Sequence, residues 1–134
     1  MARVDSSVII DLERRGLPLH VLFDSLPNEQ LVTAAITASE LLVGIHRASS
    51  DERRVRRETF IEAVIAALPV LPFDLDAARL HARLWAQMAQ DGQMISSHDL
   101  LIAATALAHN YDVLTTNARD FSRVPGLVVR EPAW

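Results

Sequence analysis

Carboxylates placed close to apolar segments are the side chains of this 134-residue chain best suited to chemistry. Asp99 directly precedes an almost wholly apolar run at 100–108, and Asp5, Glu40 and Asp120 lie near other short apolar segments. Three or four carboxylates in one place repel one another, and the usual remedy is a hard divalent cation such as Mg²⁺ or Mn²⁺. Such an ion keeps several waters and can activate one against a phosphodiester bond. The acids therefore suggest metal-dependent hydrolysis.

Each of these acids also has a purely structural interpretation. Asp99 is of a type that favours the start of a helix, where a carboxylate accepts free N–H groups. Asp5 could cap the helix that follows it, although Ser6 would serve equally well. Glu40 has capping-box spacing from Thr37. A helix cap acts alone, whereas a metal site requires several acids to lie close together. The predicted fold must therefore distinguish between these two interpretations.

Predicted strands and helices alternate along the chain, which indicates a parallel sheet covered on both faces with right-handed crossovers. The predicted strands cover 2–5, 31–36, 70–73, 112–116 and 127–130. The predicted helices cover 8–15, 19–26, 38–49, 52–68, 76–90 and 99–108, with Thr37, Ser49 and Ser6 or Ser7 among the expected caps and Asn110 as a left-handed stop. At this length and composition we expect one α/β domain over 1–134.

In open α/β sheets, ligands bind at the carboxyl ends of the strands. Asp5 ends the first predicted strand, Glu40 lies four residues beyond the second, and Asn117 ends the fourth. Asp99 begins the helix that leads into the fourth strand, so it starts at the edge where that strand finishes. We therefore expect these side chains to converge.

Asn117 and Asp120 are three residues apart, so a single helical turn would place both on one face. We expect Asn117, together with Ser6, to hydrogen-bond metal ligands, and Asp120 to contribute charge through a water molecule. The structural alternative is that Asp120 merely caps the turn before Phe121.

Composition excludes several other functions. The chain has no cysteine, which rules out disulfides and thiolate zinc sites, and no lysine, which rules out a P-loop or a Schiff-base enzyme. The five histidines show no ligand spacing, and the four glycines make no dinucleotide fingerprint. A net charge of −4 argues against a protein that coats nucleic acid. Nothing resembles a targeting or membrane-spanning segment, so we expect a soluble, cytoplasmic protein.

Two further groups of residues have open interpretations. The cluster Arg53, Arg54, Arg56 and Arg57 could follow an RNA backbone, but a charged run beside acids is more often a solvated helix face. Trp85 and Met88 are at helical spacing and indicate core or dimer contacts. We interpret His98 as a loop residue.

Four segments resemble the PIN-domain nucleases, and within them the VapC toxins of bacterial toxin–antitoxin pairs. The segments are VDSSVII, TASELLVGI, SSHDLLIAATALAHNYDVLTTN and ARDFSRVPGL. The resemblance implies a three-layer α/β/α fold around about five short parallel strands. It also implies a Mg²⁺- or Mn²⁺-dependent endoribonuclease with Asp5, Glu40 and Asp99 as metal ligands and Asp120 as a further catalytic acid. Many family members carry aspartate at the position of Asn117, and often Gly-Pro where Ser96 and Ser97 stand.

The resemblance further implies partners. These are a second copy of the chain, a VapB-type antitoxin that inserts an arginine into the acid pocket, and a tRNA or ribosomal RNA substrate. Two other functions remain open at this point. One is a catalytically silent module whose acids receive an arginine from a partner. The other is a metal-dependent phosphatase of small substrates.

Overall fold

The computed structural model describes residues 2–134 and has a central parallel sheet with helices on both faces. Its strands are β1 (Ala2–Val4), β2 (Leu31–Ala34), β3 (Val70–Leu71), β4 (Asp112–Leu114) and β5 (Val129–Arg130). Its helices are α1 (Ser6–Arg14), α2 (His20–Ser25), α3 (Ala35–His46), α4 (Asp51–Ala67), α5 (Leu75–Asp91), α6 (Ser97–Ala108) and α7 (Ala118–Phe121). The strand order is β3-β2-β1-β4-β5, and every neighbouring pair is parallel. The predicted α/β/α fold is confirmed.

The sheet separates two hydrophobic cores, because successive side chains of a strand point to opposite faces. On one face Ala2 and Val4 of β1 pack with Leu114 of β4 and with α1, α3 and α4. On the other face Val113 packs with α5 and α6. The middle strand β1 is therefore covered on both faces, as parallel sheets require.

Helix α6 is the most deeply buried helix of the fold. Six of its residues are buried, as the apolar run predicted: Leu100, Ile102, Ala103, Ala104, Thr105 and Ala106. Ser96 caps its N-terminus by accepting a hydrogen bond from the Asp99 N–H at 3.2 Å. Asn110 follows the helix with a φ of 60°, the predicted left-handed stop. The chain then turns directly into β4.

Several predicted caps are wrong. Strand β2 ends at Ala34 and runs straight into α3, so Thr37 lies inside the helix and forms no capping box with Glu40. The cause is the segment 31–36, whose continuous apolar character fits a buried strand and a buried helix start equally well. At α1 the N-cap position belongs to Asp5, whose side chain makes no capping bond, and neither Ser6 nor Ser7 occupies it.

Two more helix starts differ from the prediction by one or two residues. Ser50, rather than Ser49, caps α4 by accepting from the Arg53 N–H at 3.2 Å. Helix α6 begins at Ser97, which places Asp99 in its first turn rather than at its cap. Within residues 2–134, no helix is long and apolar enough to cross a membrane.

Candidate active site

Asp5 is fixed at the carboxyl end of the central strand. Its N–H donates to the Leu114 carbonyl at 3.0 Å, and its backbone stays extended into the start of α1. Its Oδ2 accepts hydrogen bonds from the Ser7 hydroxyl at 2.8 Å and the Thr115 hydroxyl at 2.9 Å. With only 4% of the residue exposed, this carboxylate is locked between β1 and β4.

Glu40 reaches the same edge from the second turn of α3. The Ser6 hydroxyl donates to its Oε2 at 3.2 Å. Its Oε1 is buried and has no hydrogen-bond partner among the described residues, while His98 Nδ1 lies 3.7 Å from it. A buried carboxylate oxygen without a donor is costly, so this atom is suited to a cation.

Asp99, Asn117 and Asp120 form the third part of the site. The amide nitrogen of Asn117 donates to Asp120 Oδ2 at 3.1 Å and to Asp99 Oδ2 at 3.4 Å. Asn117 stands at the N-cap position of α7, so Asn117 and Asp120 share the single helical turn that the sequence predicted. Because Ser96 already caps α6, the Asp99 carboxylate is available to face this edge.

The electrostatics show that these acids affect one another. Burial raises the pKa of Asp99, and the negative charges of Asp5 and Asp120 raise it further, against hydrogen bonds from Ser96 and Asn117. Burial likewise raises the pKa of Glu40, and repulsion from Asp5 and Asp99 adds to the effect. The neighbouring carboxylates therefore lie close enough to Asp99 and Glu40 to oppose the ionisation of these two groups.

The donor set fits a hard divalent cation, because it consists of carboxylate oxygens with one buried oxygen unpaired. Within residues 2–134, however, no three acidic or histidine side chains are placed to hold a metal ion as they stand. Binding an ion would therefore require side chains of the site to move. The assignment of Asp5, Glu40 and Asp99 as ligands stays a prediction, and so does the catalytic role of Asp120.

Sequence reasoning missed three side chains that position the acids. Ser7 and Thr115 both bond to Asp5, and His98 lies beside Glu40 on the first turn of α6 rather than in a loop. The signal for the first two was present in the sequence, since hydroxyl residues follow the acid in DSS and precede the amide in TTN. Ser6, a predicted neighbour of the metal ligands, does bond to Glu40.

The remaining candidates lie elsewhere. In the arginine cluster, Arg54 pairs with Asp51 at 3.1 Å and Arg57 pairs with Glu13 at 3.2 Å, as expected of a helix surface. Met88 is buried in the second core, whereas Trp85 on the same helix is 55% exposed. Trp85 is therefore not a core residue.

Comparison with known proteins gives a consistent set of relatives. The family model of the PIN domain matches residues 3–127. The chain is 38% identical over 126 residues to a protein of Rickettsia bellii named Ribonuclease VapC, covering 94% of this chain and 92% of that one.

Two solved structures are also similar. One is VapBC-5 of Mycobacterium tuberculosis, a member of the VapBC family of toxin–antitoxin systems, with 32% identity, a TM-score of 0.74 and coverage of 98% and 97%. The other is a DNA-bound VapBC of Salmonella typhimurium, with 26% identity, a TM-score of 0.85 and coverage of 97% and 96%.

Proposed function

Since this chain belongs to the PIN-domain family, we propose that it is the endoribonuclease toxin of a VapBC-type toxin–antitoxin pair. The observation that carries this proposal is the convergence of Asp5, Glu40, Asp99 and Asp120 at the carboxyl edge of the sheet. The chain brings each acid there on a different element. Negative charge on Asp5 and Asp99 adds to the raised pKa of Glu40, and negative charge on Asp5 and Asp120 adds to the raised pKa of Asp99. A bound cation would offset the repulsion among these carboxylates, which explains why the fold would keep them together.

Asp5, Glu40 and Asp99 would hold Mg²⁺ or Mn²⁺, which when bound supplies an activated water and offsets charge on the phosphoryl group. The protein's own contribution is positioning. Ser7 and Thr115 hold Asp5, and Ser6 holds Glu40. Asn117 joins Asp99 to Asp120. The four carboxylates would thus meet a scissile phosphate at one edge of the sheet.

The test is an assay of purified protein with Mn²⁺ or Mg²⁺, in which structured RNA and a small phosphate ester are offered separately. We expect the RNA to be cut and the ester to stay intact. Intact RNA with turnover of the ester would support the phosphatase interpretation, and inertness toward both would support the binding module. Mapping the cut ends in total cellular RNA would then show whether the substrate is a tRNA or a ribosomal RNA.

Asp99→Asn is the matched control for this assay. The amide keeps the shape of the side chain and can still accept from Asn117, and Ser96 still caps α6. We expect this variant to fold normally, to lose cleavage at every metal concentration and to relieve growth arrest. Cleavage at the parent rate by a folded Asp99→Asn protein would contradict the site assignment.

We propose that a VapB-type antitoxin inhibits the protein at this site. A groove between α1, α3 and α4 reaches Glu40, and its lining is part apolar and part charged. The apolar side chains include Ile9, Leu41 and Ile61, and the other charged ones are Glu13, Arg14, Arg47 and Arg57. A peptide lying in this groove would place an arginine among the carboxylates, where its planar fork suits them. Antitoxin binding and Mn²⁺ binding should therefore compete, and a Mn²⁺ affinity unchanged in the complex would refute the blocking mechanism.

We also propose a homodimer formed through α5. The outward face of this helix carries a stripe of apolar side chains opposite its buried face, and the stripe consists of Leu75, Ala78, Ala82, Trp85, Ala86 and Ala89. Leu75 is 64% exposed and Trp85 is 55% exposed. A continuous apolar helix face of this kind is typical of an interface between subunits.

A further inference from the structure

Arg3 is an arginine in the middle of the central strand, and it is completely buried. Its NH1 donates to the Ile102 carbonyl of α6 at 2.6 Å. Its Nε and NH2 make no hydrogen bond to the described residues, and within residues 2–134 no carboxylate lies at salt-bridge distance from it. Burying a charge with so few partners lowers the free energy of unfolding, so the presence of Arg3 here needs an explanation.

The position of Arg3 supplies that reason. Ala2 and Val4 point into the core beneath α1 and α3, so Arg3 between them points to the opposite face, toward α6. The backbone of Asp5 is still extended, so Asp5 follows Arg3 on the same face. On α6, the carbonyl that Arg3 binds belongs to the residue three positions after Asp99. The guanidinium therefore lies farther from the carboxyl edge of the sheet than the carboxylates do, next to them in the interior.

The positive charge of Arg3 interacts with the negative charge of Asp5. Burial lowers the pKa of Arg3 to about 10, and the negative charge of Asp5 acts in the opposite direction. At neutral pH the guanidinium is thus a permanent positive charge in an environment where charges are poorly screened. Its positive charge attracts the carboxylates at the carboxyl edge of the sheet, which otherwise repel one another.

We propose that Arg3 is a positioning residue of the acid site, whose fixed positive charge beneath Asp5 and Asp99 balances the carboxylates in the metal-free protein and weakens their affinity for a divalent cation. A site balanced in this way does not need an ion in order to stay folded. It also releases the ion more readily, which leaves the carboxylates open to a competing arginine from a partner. This inference rests on the proposed metal site.

The first experiment measures Mn²⁺ affinity by calorimetry in the full-length protein. Arg3→Met replaces the buried charge with a flexible apolar side chain, and Arg3→Gln is a second neutral variant that keeps a polar N–H group. We expect Mn²⁺ to bind these variants more tightly by on the order of tenfold, a modest value for a buried charge at an effective dielectric constant of about 20. Arg3→Lys, which keeps the charge beside the carboxylates, should bind Mn²⁺ as the parent does.

Arg130→Met is the matched control. It removes another arginine of the same sheet, one that pairs with Glu29 at 2.7 Å and lies 3.7 Å from Asp112, outside the acid site. Its Mn²⁺ affinity should equal that of the parent. Equal affinities in the parent, Arg3→Met and Arg3→Gln would overturn the proposal, as would tighter binding in Arg3→Lys of the same size as in Arg3→Met.

The second experiment needs neither metal nor nuclease activity, so it separates this inference from the proposed function. In the metal-free protein, Asp99→Asn should raise the melting temperature more in the Arg3→Met background than in the parent, because repulsion is larger without Arg3. Equal increases would contradict the proposed balance. If both neutral variants fail to fold, Asp99→Asn should restore folding, and a failure to restore it would overturn the inference. A parent protein that binds no Mn²⁺ would count against the metal site. The melting temperatures of the single and double variants would still test whether Arg3 balances the carboxylates.

Discussion

At the scale of single residues, each carboxylate of the site is held by a neutral donor. Ser7 and Thr115 serve Asp5, and Ser6 serves Glu40. Asn117 serves both Asp99 and Asp120 through one amide group. Donors without charge orient the acids while leaving their negative charge available, which is what a site for an exchangeable cation requires.

The pair Asn117 and Asp120 gives the first prediction. Asp120→Asn should weaken Mn²⁺ binding and cleavage together by about 10- to 100-fold, the usual cost of losing a group that supports metal ligands. Asn117→Asp should be tolerated or should strengthen metal affinity, because it adds a carboxylate beside Asp99 and Asp120. Calorimetry on both variants gives the answer. An unchanged affinity in Asp120→Asn would remove Asp120 from the site.

The raised pKa values of Asp99 and Glu40 give the second prediction, which concerns the metal-free protein. As the pH rises through the window from their ordinary pKa values, 3.8 and 4.5, to the raised values, the unfolded chain has already released protons that the folded protein keeps. The free energy of unfolding contributed by these two groups therefore falls as the pH rises. These groups stabilise the fold in mild acid and destabilise it at neutral pH.

Asp99→Asn removes one of the two groups, so at neutral pH the metal-free variant should melt at a higher temperature than the parent. The gain should shrink as the pH is lowered toward the ordinary Asp pKa of 3.8, because the raised pKa of Asp99 leaves more of this carboxyl group protonated in the folded parent. Melting curves of both proteins over this range, recorded in the presence of a chelator, provide the measurement. A gain that does not depend on pH would show that charge is not its cause.

At the scale of elements, the termini of α6 decide where the site lies. Ser96 starts this helix at the carboxyl edge of the sheet, and Asn110 ends it so that β4 can return to the same edge. The apolar run between them leaves the helix no freedom to rotate, because it is buried over most of its surface. The direction of Asp99 is therefore set by core packing several residues away.

The left-handed stop after α6 gives the third prediction. Asn110 has a φ of 60°, a conformation that a β-branched residue adopts only with strain. Asn110→Val should lower the free energy of unfolding by about 1–2 kcal/mol, whereas Asn110→Gly should be close to neutral. Urea unfolding of the three proteins measures both values. A Val variant as stable as the parent would mean that this turn has another accessible conformation.

The sequence predicted the type and order of these elements but not all of their ends. Polar residues marked the start of α6 clearly, and the predicted left-handed residue after it is confirmed. At 31–36, by contrast, no polar residue separates strand from helix. The N-cap position of α3 is Ala34, so the prediction placed the cap three residues too late and assigned it to Thr37. Local patterns fix an element end only where a side chain caps it.

At the scale of the whole molecule, the acids that meet come from distant parts of the chain. Their shared edge was predictable, because the order of strands and helices determines which ends meet. Arg3 was not predictable in the same way. One arginine in a three-residue strand gives no local sign of burial, and its position beneath the site depends on α6, which lies about a hundred residues away in the chain.

The stripe on α5 gives the fourth prediction. Ala86→Glu places a charge in the middle of the stripe with only a small loss of helix propensity, and it should convert a dimer into a monomer. Gln87→Glu is the control, because it adds the same charge at an exposed position off the stripe. Light scattering after size-exclusion chromatography would report both masses. A parent protein that is monomeric at high concentration would reject the proposed interface.

The pairing of β1 with β4 has a consequence for synthesis of the protein. Residues 2–4 leave the ribosome well before their β4 partners at 112–114. Until then Asp5 has no Thr115 beside it, and neither Asn117 nor Asp120 has emerged. A growing or truncated chain consequently has no assembled acid site.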